Sequence, residues 1–156
     1  MKNLVARASQ LISCPISKAF DAFVDPTKIS QFWLASASGP LRDNASVMWQ
    51  FMVPGATASV TVKEFTPPRL IGFTWSGGLE VRLTFSENST GKTDVSAEVS
   101  GFTGEDAVEN AINTTEGFSI VLCDLKTLLE TGRSANLVRD KAKLIEVSAA
   151  AANCDA

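Results

Sequence analysis

Residues 14–33 read CPISKAFDAFVDPTKISQFW, and this stretch decides how the fold begins. Pro15 stands where proline favours the first turn of a helix, and apolar residues then recur at helical spacing. The Asp25-Pro26 pair predicts that this helix ends and that a short second helix begins. The second helix is predicted to end on two large rings, Phe32 and Trp33. The structure must show what those rings pack against.

Strands are predicted on both sides of this stretch. Loose alternation predicts one strand over residues 3–13, whereas residues 36–46 are small and polar and predict a loop. Five later runs alternate like strands and are separated by Pro and Gly turn formers. These runs are 46–53, 57–66, 69–76, 79–86 and 92–101. The short connections favour an antiparallel meander, so we expect a curved six-stranded sheet.

Alternation along the later strands separates an apolar face from a polar one. Val81, Leu83 and Phe85 alternate with Glu80 and Arg82, and similar patterns occur around Val60 and Val95. A sheet with one polar face is covered on its other face only. We therefore interpret the charged strand residues as a solvated outer surface, with cross-strand pairs between Arg82 and either Glu80 or Glu98. These residues are Glu64, Glu80, Arg82, Asp94 and Glu98.

A long helix, predicted over residues 104–132, is expected to cover the apolar face. Acidic residues in its first turn suit the helix dipole, and Gly132 predicts its end. Its apolar positions recur in steps of three and four: Val108, Ala111, Thr115, Phe118, Leu122, Leu125 and Leu129. One α+β domain is thus expected over 1–132. A C-terminal extension follows over 133–156, with a short helix over 133–147 and a frayed end.

Composition excludes several classes of function. The 156 residues suffice for one domain with a core, and the net charge is −3 without a basic cluster. We therefore expect no nucleic-acid partner and no membrane-surface partner. No apolar stretch approaches the roughly 20 residues of a membrane span. Three cysteines suit free thiols in a reducing compartment, so a cytoplasmic location is expected.

The chain contains no His and no Tyr. This composition excludes Ser-His and Cys-His pairs and any His metal ligand. Cys123 is interpreted as a small buried hydrophobe, because nothing points to Lys126 or Lys141 as an activating neighbour. Cys14, at a helix N-terminus, is slightly better placed to ionise but has no visible partner. We predict no catalytic residue, no metal site and no cofactor.

Several segments follow one another in a characteristic order. They are Cys14-Pro15 through Phe20, Ala22-Phe23, Asp25-Pro26, Gln31-Phe32-Trp33, Pro67-Pro68-Arg69-Leu70, Thr74-Trp75, Gly91 with Thr93, Ser100-Gly101-Phe102, Glu116-Gly117-Phe118 and Leu125 to Gly132. Their order and spacing resemble the START/Bet v 1-like (SRPBCC) superfamily, which has the helix-grip fold. The branch they resemble is related to the C-terminal domain of activators of the Hsp90 ATPase (AHSA1-like). The resemblance covers about residues 3–132.

The resemblance implies a cavity between the long helix and the sheet that holds a small apolar molecule. Relatives of this kind bind lipids, hormones and polyketide-like compounds, and some catalyse cyclisation or dehydration. Val99 and Phe118 stand where many relatives carry His and Trp, so functions that need those groups are not implied. Chaperone stimulation is not implied by the family name.

The predicted ligand-binding residues are apolar side chains on elements that could face this volume, where each would either pack in the core or form part of a pocket wall. They are Phe32, Trp33, Trp49, Phe51, Trp75, Val81, Leu83, Phe85, Phe118 and Leu122. Trp33 is the leading candidate, because it ends the short helix at the cavity mouth.

Three functions are considered. The first is non-enzymatic binding of a small hydrophobic ligand. The second is a cyclase- or dehydratase-like enzyme, which requires an inward carboxylate. The third is a co-chaperone-like or homodimeric interaction module. It would use Ile120 and Val121 on the outer side of the long helix, or Leu137, Leu144 and Ile145 after it.

Overall fold

A seven-stranded antiparallel sheet forms one layer of the protein, and its helices pack over one face. The computed structural model describes the backbone of residues 3–154 and the side chains of residues 3–147. The elements are β1 (Ala6–Ile12), α1 (Ile16–Val24), α2 (Pro26–Ile29), β2 (Leu34–Ala37), β3 (Ser46–Phe51), β4 (Thr57–Thr66), β5 (Leu70–Thr74), β6 (Glu80–Glu87), β7 (Thr93–Ser100), α3 (Ala107–Thr131) and α4 (Leu137–Cys154).

The strand order in the sheet is β1-β7-β6-β5-β4-β3-β2. Strands β2 to β7 form a meander, and β1 pairs with the last strand, β7. The register places Val81 opposite Val99 and Leu83 opposite Ala97, so apolar side chains lie side by side on the covered face. The one-sided sheet predicted from alternation is confirmed. The helix-grip fold is confirmed as well.

The sheet has seven strands where the sequence predicted six. The additional strand is β2, which pairs with β3 through an irregular register. It overlaps residues 36–46, for which the sequence predicts a loop. Four residues of composition LASA carry too short a pattern to reveal a strand, and pairing with β3 decides its conformation.

The joint between the first two helices follows the local sequence. Asp25 caps α2, because its side chain accepts a hydrogen bond from the Thr27 N–H at 2.8 Å. Pro26 occupies the first turn of α2, where its missing N–H costs nothing. The two helices are therefore separate, and the chain reaches Phe32 and Trp33 in a turn directly after α2.

Helix α3 packs against β1 and β7, and its own side chains Leu122 and Leu125 are fully buried. The predicted apolar stripe starts later than expected, because Val108 is 58% exposed and burial begins at Ala111. Within residues 3–154, no helix is both long and apolar enough to cross a membrane.

Helix α4 is longer than the predicted short helix and includes residues expected to be frayed. A buried carboxylate anchors the connection that leads into it. Asp124 on α3 is 1% exposed and accepts hydrogen bonds from the Ser134 hydroxyl at 2.9 Å and the Ala135 N–H at 2.8 Å. Further along, Lys141 of α4 pairs with Glu116 of α3 at 2.6 Å. The contacts run in opposite order along the two helices, so α4 returns along α3.

Replacing Asp124 by Ala should lower the free energy of unfolding by about 1–3 kcal/mol. The reason is that the change removes the buried acceptor of two hydrogen bonds, from the Ser134 hydroxyl and the Ala135 N–H, that hold the connection to α3. Urea denaturation followed by circular dichroism measures the change. Asp43→Ala, at an exposed loop position, is the control and should stay within about 0.5 kcal/mol. Equal stability of the two variants would contradict the anchoring role.

Candidate functional site

Trp33 lies at the centre of an aromatic cluster. Its ring centroid is 5.0 Å from that of Trp49, 5.4 Å from Phe118, 6.0 Å from Phe23 and 6.1 Å from Trp75. All four contacts are edge-on, which is a geometry that aromatic pairs favour. Trp33 thus joins the α2 turn to α1, to α3 and to the sheet.

Phe32 points into the closed core. It is fully buried and packs edge-on against Phe23 at a centroid distance of 5.3 Å. The two rings that end residues 14–33 therefore have different surroundings. Phe32 is enclosed by protein, whereas Trp33 reaches a pocket.

The space between the centre of the sheet and α3 is filled by side chains. Six of the ten predicted ligand-binding residues are at most 3% exposed there and line no part of the main pocket. They are Phe32, Trp49, Val81, Leu83, Phe85 and Leu122. The structure therefore puts these six in the packed core, because each belongs to the cluster of buried apolar side chains.

The remaining four predicted residues meet at an apolar pocket of about 310 Å³. Trp33, Phe51, Trp75 and Phe118 form its aromatic wall. The pocket lies between α3, α4 and the turn that joins β3 to β4. It is thus displaced from the expected helix–sheet cavity towards the edge of the sheet that carries β3.

Helix α4 supplies a wall that the sequence reasoning missed. Val138, Ala142 and Ile145 line the pocket from this helix. Their steps of four and three put them on one helical face, and this spacing was the signal available in the sequence. Ile120 and Val121, expected on the outer side of α3, also line the pocket. Val121 is buried, so that expectation was wrong.

Gly117 leaves open space at the helical wall of the pocket. It lies in the interior of α3, and a Cβ built there would meet no atom within 4 Å. Glycine inside a helix is about 1 kcal/mol less favourable than alanine. The helix thus carries a destabilising residue at a position where any larger side chain would reduce the pocket volume.

The polar groups of the apolar pocket are few. The Trp75 indole N–H is buried and has no hydrogen-bond acceptor among the described residues. The Lys141 ammonium is already paired with Glu116. No Asp or Glu of the described residues lines the pocket.

The carboxylates of the strands face solvent, as predicted. Glu64, Glu80, Asp94 and Glu98 are all exposed. Arg82 pairs with Glu64 at 3.2 Å instead of with Glu80 or Glu98. Gly72 of β5 lies between β4, which carries Glu64, and β6, which carries Arg82. A Cβ at Gly72 would lie 3.0 Å from the Glu64 carboxylate, so the missing side chain leaves room for the ion pair.

The two cysteines with described side chains offer no activated nucleophile. Cys14 is 6% exposed, and burial raises the pKa of its thiol despite the opposing effect of Lys18. Cys123 is half-buried and accepts a weak hydrogen bond from Gln10 at 3.5 Å. The side chain of Cys154 lies outside the described residues. No cluster of acidic or thiol groups that could hold a metal occurs in the described part of the chain.

The family model of the activator of Hsp90 ATPase homolog 1-like proteins matches residues 13–130. The chain belongs to this family. The match ends within α3, so helix α4 of this AHSA1-like protein lies beyond the matched residues. No curated protein matches the sequence.

Solved structures share the AHSA1-like fold. Protein SSP2350 from Staphylococcus saprophyticus is 28% identical, with a TM-score of 0.75 over 83% of this chain and 94% of its own. DynU16, a protein of the dynemicin biosynthetic locus, is 20% identical, with a TM-score of 0.74 over 85% of this chain and 49% of its own. The Aha1 dimer from Colwellia psychrerythraea is 16% identical, with a TM-score of 0.74 over 83% of this chain and 98% of its own.

In the native protein, Cys14 should react with iodoacetamide much more slowly than Cys123. Its thiol is more deeply buried and its raised pKa reduces the reactive thiolate. Peptide mapping by mass spectrometry separates the two sites, and the unfolded protein in urea is the control, in which both should react at similar rates. Faster native labelling of Cys14 would contradict this assignment.

Proposed function

We propose that this AHSA1-like protein binds a small apolar molecule, without covalent chemistry, in the pocket beneath α4. The observation that carries the proposal is the pocket itself: four aromatic side chains and one face of α4 enclose about 310 Å³. This volume is at the lower end of the range for small-molecule sites, whose walls are mostly apolar with few polar groups. The described residues of the helix–sheet core are instead buried against one another.

Hydrophobic burial would supply most of the affinity. Burying about 200 Å² of apolar ligand surface contributes about 5 kcal/mol, before the cost of association is subtracted. Five kcal/mol corresponds to a Kd of about 0.2 mM, so a compact apolar ligand should bind in the millimolar range once the cost of association is subtracted. Tighter binding requires polar contacts in addition.

The enzymatic alternative receives no support from the pocket. A cyclase or dehydratase of the predicted kind needs a carboxylate beside its substrate. The strand carboxylates face solvent, and the buried Asp124 is used by Ser134 and Ala135. The locus named for DynU16 concerns that protein, and its 20% identity carries only the fold.

The proposed arrangement treats residues 1–132 as the binding domain and residues 133–156 as an accessory extension that completes its pocket. We also propose a cytoplasmic site of action. Its support is the shielded free thiol of Cys14, which suits a reducing compartment.

Replacing Gly117 by Leu should abolish binding of a simple apolar probe, because the new side chain projects into the pocket. We would titrate 1-octanol by isothermal calorimetry into wild type and variant. Glu109→Leu adds the same side chain at an exposed position of α3 that lines no described pocket, and it should bind like wild type.

Gly117→Ala separates pocket volume from helix stability. It should raise the free energy of unfolding by about 0.5–1 kcal/mol while weakening octanol binding. Wild-type affinity in both Gly117 variants would overturn the proposed site.

A second candidate function is self-association through α4. Leu144 and Val147 are 57% and 65% exposed, and Leu137, which lines a groove against α3 together with Leu144, is exposed as well. Contiguous exposed apolar side chains of this kind mark interaction surfaces. The Aha1 structure from Colwellia psychrerythraea is that of a dimer in solution, which supports testing this candidate.

If α4 mediates a homodimer, the double variant Leu144→Glu/Val147→Glu should be monomeric where wild type is dimeric. The reason is that two charges would be buried without partners in the interface. Sedimentation equilibrium at several concentrations measures the change, and Glu146→Gln on the same helix is the control. A monomeric wild type would remove this candidate and leave the pocket proposal unaffected.

A further inference from the structure

A second pocket adjoins the apolar one and differs from it in chemistry. Its volume is about 380 Å³, and its eight lining residues include Asn110, Asn113, Thr103 and Thr114 but no charged side chain. Thr114 also lines the apolar pocket. Thr114 is thus shared by the linings of both pockets.

The same face of α3 runs along both pockets. Asn110 and Asn113 line the polar pocket, and Gly117 and Val121 line the apolar one, with Thr114 between the pairs. The steps of three and four keep these positions on one side of a helix. On the sheet side, Trp75 lines the apolar pocket and Gly77, two residues later, lines the polar pocket. The lining thus changes from apolar to polar near Thr114 on the helix side and between Trp75 and Gly77 on the sheet side.

The polar pocket presents neutral hydrogen-bonding groups. The side-chain amides of Asn110 and Asn113 make no hydrogen bond to any other described residue, and each amide can both donate and accept. The Thr114 hydroxyl adds another donor and acceptor. These groups match hydroxyls and carbonyls, but they cannot neutralise a full charge.

A negatively charged group is disfavoured by the nearby sequence as well. Glu105, Asp106 and Glu109 surround the start of α3, directly before the helical turn that carries Asn110 and Asn113. All three are exposed carboxylates. The lining of the polar pocket would supply no cation to pair with a carboxylate or phosphate end.

We infer that the ligand is an elongated amphiphile with an uncharged polar end. Its apolar body would lie between Trp33, Trp75 and α4, and its hydroxyl- or carbonyl-bearing end would hydrogen-bond to Asn110, Asn113 and Thr114. This inference rests on the proposed function and adds the chemical class of the ligand.

The test uses four probes with one eight-carbon chain, each kept below its micelle-forming concentration. They are 1-octanol, octyl glucoside, octanoate and octyltrimethylammonium. Calorimetric titration of wild type should show that octyl glucoside binds about tenfold more tightly than 1-octanol, which corresponds to one or two additional hydrogen bonds. Octanoate and octyltrimethylammonium should bind no more tightly than 1-octanol. Equal binding of glucoside and octanol, or preference for a charged probe, would overturn the inference.

Variants separate this inference from the proposed function. The double variant Asn110→Ala/Asn113→Ala should lose the tenfold preference for octyl glucoside and keep wild-type binding of 1-octanol. Gly117→Leu should lose both probes. A double variant that retains the glucoside preference would refute the polar subsite while leaving the apolar pocket intact. Failure of 1-octanol and octyl glucoside alike to bind wild type would refute the proposed function and the inference together.

Discussion

The edge-on packing of Trp33 among four other rings is the interaction on which the arrangement of this protein depends. It joins the turn after α2 to α1, to α3 and to the β3–β5 half of the sheet. Edge-to-face rings also pack in the closed core, where Phe23 contacts Phe32 and Phe85. The pocket opens where Trp33, Trp75 and Phe118 face α4.

The second constraint is the return of α4 along α3. Two polar contacts hold it there: the buried Asp124 carboxylate at the connection and the Glu116–Lys141 pair further along. The pocket wall on this side comes from a helix outside the residues that match the family model. The family match by itself therefore does not determine the shape of this pocket.

Local rules of stability are broken where the pocket lies. Gly117 interrupts the interior of a 25-residue helix, and the buried Trp75 N–H has no acceptor among the described residues. Each feature costs about 1 kcal/mol or more. Departures of this kind tend to occur at functional sites, where local stability is given up for shape or chemistry. Both lie on the aromatic pocket, whereas the six predicted residues in the closed core show no such departure.

The sequence by itself determined the order of the elements, the covered and solvated faces of the sheet and the family resemblance, because alternation, helical spacing and turn formers are local signals. It also picked out Trp33, Phe51, Trp75 and Phe118 as cavity residues. It could not separate them from Trp49, Val81 or Leu122, because identical apolar patterns fill a core or line a pocket. Only the tertiary structure decided that difference, together with the short strand β2 and the course of α4. Each depends on which distant side chains meet, and spacing along the chain carries no information on that.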